Sequence, residues 1–133
     1  MYLPQIKGWQ QFIKEGEQYL RTAVNAAVKR REVFTSEILY NVTGMAIEKY
    51  LMGLLMFHGE LADNHTMADL ARAVEGVVGE QKKLTAKLLF LDSFQEICSV
   101  DTYSRKVPSD DDIVEILAIG RDVQAFVAAR VTA

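Results

Sequence analysis

Apolar residues recur at spacings of three and four from Pro4 to about Arg31, through Ile6, Trp9, Phe12, Ile13, Tyr19, Leu20, Ala23, Ala27 and Val28. That spacing predicts one face of a first helix. The cluster Lys29-Arg30-Arg31 suits its C-terminal end, where cations oppose the negative end of the helix dipole. A second helix is predicted from Thr35 or Ser36, either of which can cap free backbone N–H groups, to His58, with Gly59 placed to end it. Between Ile38 and Phe57 the strongly polar residues are only Asn41, Thr43, Glu48 and Lys49, so apolar side chains cover nearly the whole circumference. Such a helix is central, or lies at a subunit interface. After a loop over Gly59 to Asn64, His65 or Thr66 opens a shorter helix with Met67, Leu70, Ala71, Val74 and Val77 on one face, stopped near Gly79. A fourth helix is predicted over about Gln81 to Val100, carrying Leu84, Leu88, Leu91, Phe94 and Ile97, followed by a polar loop from Asp101 to Asp110. Ser109 and the acids Asp110, Asp111 and Asp112 suit the start of a last helix running to about Arg130, with Ile113, Ile116, Leu117, Gly120, Val123 and Val127 inward.

No alternating strand pattern and no internal repeat is read, and the short connections imply antiparallel neighbours. The expected fold is all-α, an up-and-down bundle of four long helices plus one short helix, in one domain over residues 1–133. A chain of 133 residues, half of them apolar and a quarter charged, can form one core without metals or disulfides.

The net charge of −3 leaves no global positive field, so neither DNA nor a membrane is an expected partner, and RNA or a nucleotide would need a local patch. The longest apolar run, Tyr50 to Phe57, is far short of the about 20 residues that a membrane-spanning helix needs. Cys98, the single cysteine, cannot form an internal disulfide, and Met1 to Lys14 holds no apolar signal core, so a reducing cytoplasm is the expected location.

The stretch Gly44-Met45-Ala46-Ile47-Glu48-Lys49-Tyr50-Leu51-Met52-Gly53-Leu54-Leu55, followed by Asn64-His65-Thr66-Met67-Ala68-Asp69-Leu70, resembles the signature of the HEPN domain family. Ala46, Glu48, Lys49, Leu51, Leu54 and Leu55 match its first block and His65 matches the His that opens the next helix, while Met52 replaces a frequent second Lys. The resemblance implies a helical bundle that often dimerises. It also implies association with nucleotides, RNA or a partner nucleotidyltransferase, in prokaryotic defence and toxin–antitoxin systems. Many members are metal-independent ribonucleases with an Arg, four to six residues, then a His, the Arg stabilising phosphate charge and the His moving a proton.

That motif is absent. The chain has seven arginines and only His58 and His65, neither of which follows an Arg at the required interval. Arg105 is the best positional match, yet the permitted His positions after it hold Asp110, Asp111 and Asp112.

The remaining polar candidates each have a plain structural reading. Glu48 and Lys49 interrupt an apolar helix and either line a nucleotide-binding groove or form ion pairs with a neighbour such as Arg21. His65 and Asp69 lie four apart, with His58 nearby, but the set lacks a recognisable metal-ligand pattern, and neither metal nor cofactor is expected. Cys98 reads as a small hydrophobe rather than a nucleophile. Lys29-Arg30-Arg31 and Lys82-Lys83 with Lys87 read as solvated helix ends and faces. Tyr40, Tyr50, Met56, Ile119 and Phe126 suggest more apolar surface than a monomer hides, and hence a homodimer.

The expected function is therefore a non-catalytic HEPN-like module that dimerises and binds a nucleotidyltransferase-type partner or a nucleotide. Lys49, His65, Tyr103 and Arg105 are its polar contacts, and no catalytic residue is assigned. The alternatives are a divergent metal-independent ribonuclease using His65 and a structural subunit of a larger assembly.

Overall fold

The computed structural model describes residues 5–99 and 102–131, with the backbone alone over 96–99 and 102–105. Among the described residues, five helices make up the bundle: α1 (Trp9–Lys29), α2 (Ser36–Phe57), α3 (Met67–Val78), α4 (Lys82–Asp92) and α5 (Asp110–Ala128). The all-α fold is the expected one.

The capping signals act locally, as they read. Thr35 accepts from the Ile38 N–H at 3.3 Å, and Thr66 accepts from the Asp69 N–H at 3.1 Å. Ser109 and Asp112 form a reciprocal capping box at the start of α5. Gly79 ends α3 with φ at 90°, backbone that favours glycine. The first helix begins at Trp9, later than its periodicity suggests, because Gly8 stands before it at φ 101°.

A second difference lies after α4, which stops at Asp92 instead of near Val100. In place of the predicted last turns and the start of the loop, β1 (Gln95–Ser99) and β2 (Thr102–Arg105) pair antiparallel, Gln95 opposite Arg105 and Ile97 opposite Tyr103. The apolar period through Leu84, Leu88 and Leu91 is a genuine buried face. Beyond it, Ile97, Thr102 and Tyr103 are residues that favour extended backbone over helix. The Lys106 N–H donates to the Phe94 carbonyl at 3.0 Å and closes the base of the hairpin.

Helix α2 is the centre of the core. Leu39, Ala46, Ile47, Tyr50, Leu51, Leu54 and Leu55 are all essentially buried, against α1, α3 and α5. At about 1.5–3 kcal/mol for each large apolar side chain fully removed from water, this one helix carries much of the hydrophobic stabilisation. Close approach of its neighbours depends on three glycines, although glycine inside a helix costs roughly 0.5–1 kcal/mol relative to alanine. A Cβ at Gly16 of α1 would lie 3.1 Å from the Tyr50 ring and 3.2 Å from the Ala46 carbonyl oxygen. One at Gly53 would lie 2.6 Å from Ile13 Cδ1 and 3.2 Å from the Trp9 carbonyl oxygen, and one at Gly120 of α5 would meet Leu20 at 2.8 Å.

This packing corrects the apolar excess read from sequence. Tyr50, Met56 and Ile119 belong to the buried core. Tyr40 is half-buried with its hydroxyl donating to the Leu91 carbonyl at 2.7 Å, and Phe126 is half-buried under the Arg130 guanidinium, 3.7 Å from its ring centre. The apolar side chains actually left outside include Ile38 and Met45 on α2, Leu89 on α4 and Val114 on α5. Among the described residues, no helix is long and apolar enough to cross a membrane.

Candidate functional site

Adjacent residues on a helix point about 100° apart, so Glu48 and Lys49 on α2 turn to different neighbours. Glu48 faces the loop leading into α3, where its Oε1 lies 2.7 Å from His65 Nδ1. Lys49 faces α1, with Nζ 2.9 Å from Glu15 Oε1 and 4.6 Å from the centre of the Phe12 ring. Gln11 donates to the other oxygen of Glu15 at 3.0 Å. The Lys49 ammonium, with Gln11 assisting, holds the Glu15 carboxyl below the usual carboxylate range. Of the two readings of Glu48 and Lys49, pairing with neighbours is the one seen: Lys49 forms an ion pair with Glu15 and Glu48 contacts the His65 imidazole, in place of Arg21.

His65 and Asp69 do not act together. Asp69 accepts from the Thr66 hydroxyl at 2.8 Å and from Arg72 at 3.3 Å. His58 stands edge-on to Phe57 at 5.3 Å between ring centres, with its Nε2 buried. Tyr103 and Arg105 sit on β2, and their side chains lie outside the described residues, as does that of Cys98.

Two further features bear on what this region can bind. The N-terminus of α3 offers free N–H groups and a positive dipole end, the arrangement that receives phosphate in nucleotide-binding folds. Here it receives a carboxylate from the chain itself, since Asp92 Oδ1 and Oδ2 accept from the Met67 and Ala68 N–H groups at 3.1 and 2.9 Å. Sequence reasoning missed Asp92, whose only signal is an acid at the end of its own helix, where the dipole disfavours it.

Two of the three acids at the positions of the missing catalytic His, Asp110 and Asp112, have structural duties at the start of α5. Asp110 pairs with Arg31 at 2.6 Å, which ties the α1–α2 turn to α5, and Asp112 closes the capping box. Hydrogen bonds from the Ser109 backbone and hydroxyl hold the Asp112 carboxyl below its ordinary value.

Deep in the bundle, Gln124 donates to the Tyr50 hydroxyl at 3.0 Å, while burial pushes the phenol up to about 12. The unfolded chain loses that proton near pH 10 and the folded chain near 12, so stability is intact below about pH 10 and falls as pH rises toward 12. Tyr50→Phe is expected to flatten this alkaline decline in a series of urea midpoints at increasing pH. An unchanged decline would remove Tyr50 as its source.

No family model matches the chain, and no curated protein matches it. Two solved structures do. TT1696 from Thermus thermophilus superposes with a TM-score of 0.72 at 17% identity, over 92% of this chain and 98% of that one. ST0689, described as an archaeal HEPN homologue, superposes with a TM-score of 0.68 at 18% identity, over 96% of this chain and 100% of that one. Shared architecture over nearly the full length of both chains, at identities this low, is a statement about fold, and the chain has a HEPN-like fold.

Proposed function

We propose that this chain is a non-catalytic HEPN-like module, one domain acting in the cytoplasm by association. It forms a homodimer and engages a protein partner, of which a nucleotidyltransferase-type protein is the expected kind. The observation that carries this reading is that the polar candidates are already engaged by carboxylates of the chain itself. Lys49 is held by Glu15, His65 by Glu48, and the α3 N-terminus by Asp92. A phosphate arriving here would have to displace a carboxylate already in place. Exposed apolar residues, Ile38 and Met45 among them, favour a protein surface instead. A nucleotide remains the lesser ligand, with Lys49, His65, Tyr103 and Arg105 its proposed contacts. Light scattering over a hundredfold range of concentration tests the association. A mass near twice 15.0 kDa is expected, and a concentration-independent monomer overturns the reading.

A second reading, a divergent metal-independent ribonuclease, is favoured by the exposed imidazole–carboxylate pair of His65 and Glu48. Incubation of labelled RNA with wild-type and His65→Ala protein separates the two. No cleavage is expected from either, and cleavage that depends on His65 would replace the association reading.

A further inference from the structure

Gly16, Gly53 and Gly120 each make room for a neighbouring helix, but Gly44 does not: a Cβ there meets nothing within 4 Å. Gly76 is equally open but falls in the last turn of α3, where a poor helix former matters little. Gly44 lies well inside α2, where alanine would make the better helix. The chain on its own thus supplies no reason for glycine at this position. Around it lies the solvent-facing stripe of α2, with Ile38 41% and Met45 43% exposed, Asn41 exposed between them, and Glu48 one turn beyond Gly44.

We propose that this face of α2 is a two-fold interface between copies of the chain, in which Met45 of each copy lies over Gly44 of the other. The proposal rests on the association reading and names its surface. Antiparallel crossing about an axis between Gly44 and Met45 also sets Asn41 of one copy against Glu48 of the other. Glu48 contacts His65 through Oε1, and in this arrangement its second carboxylate oxygen accepts the partner's Asn41 amide. Parallel crossing would instead stack Glu48 on Glu48. The sequence of the stripe is thus complementary to itself in the antiparallel sense, as an isologous contact requires. Glycine under the partner's Met45 explains the residue that the single chain does not, since it lets the two helices approach closely.

The test is the dimer dissociation constant from sedimentation equilibrium, for wild type, Gly44→Leu, Met45→Lys and the control Val114→Lys on α5. Gly44→Leu and Met45→Lys are expected to raise it at least about tenfold, with Val114→Lys unchanged. Gly44→Leu projects into open space and Met45 is 43% exposed, so both stripe variants should keep the wild-type helical circular dichroism. Gly44→Ala provides an opposed readout, with a raised melting temperature in dilute protein and a weakened dimer. A dimer whose dissociation constant is unmoved by Gly44→Leu and Met45→Lys overturns this surface while leaving self-association intact. A wild-type protein that stays monomeric overturns both.

Discussion

Phe94→Ala is expected to lower the unfolding free energy by roughly 3–5 kcal/mol, the range for removing a buried aromatic ring whose cavity cannot collapse. Phe94 is only 1% exposed although it follows the end of α4. Its ring centre lies 5.4 Å from that of Tyr40 and 5.2 Å from that of Phe90, with the Lys106 ammonium 5.3 Å above it. These aromatic contacts add to simple area burial, and they tie α2, α4 and the base of the hairpin together. Urea denaturation measures the loss. Phe90→Ala, at a half-buried ring, should cost clearly less. A Phe94→Ala loss below about 1.5 kcal/mol would be that of a side chain outside the core, and would overturn this placement.

Gly53→Leu is expected to cost roughly 2–3 kcal/mol, because the first added carbon already stands 2.6 Å from Ile13 Cδ1 and 3.2 Å from the Trp9 carbonyl oxygen. Part of the clash is with the mobile end of a side chain and part with backbone. Ile13→Ala in the same chain should therefore return some of the loss, a coupling that distant sites do not show. Additive effects in the four-member cycle would mean that α1 and α2 are not in this contact. Gly44→Leu is the internal comparison, since the same change in open space of the same helix should leave the folded monomer at least as stable as wild type.

The contrast between these two glycines marks the limit of sequence reading. Both look alike in the chain, as isolated glycines in a long apolar helix, and only the position of α1 distinguishes them. The same holds for Tyr50, Met56 and Ile119, apolar residues that no single-helix pattern assigns to a core or to an interface, and that the α1–α2–α5 packing buries.

The number, order and capping of the helices were determined by the sequence itself. Apolar periodicity, the caps Thr35, Thr66 and Ser109 and the stop at Gly79 act within one or two turns. So was the absence of an Arg–His ribonuclease pair, which is a matter of counting residues. What the polar residues face was decided only by the tertiary structure. His65 lies 17 residues from Glu48 along the chain, and Asp92 lies 24 and 25 residues from the N–H groups it receives. Such pairings depend on which helix comes to lie across the gap, and local propensity carries no record of that. The hairpin after α4 belongs to the same class: an apolar pattern that continues the helical spacing through Phe94 breaks where the chain turns that ring into the core and pairs two short strands beyond it.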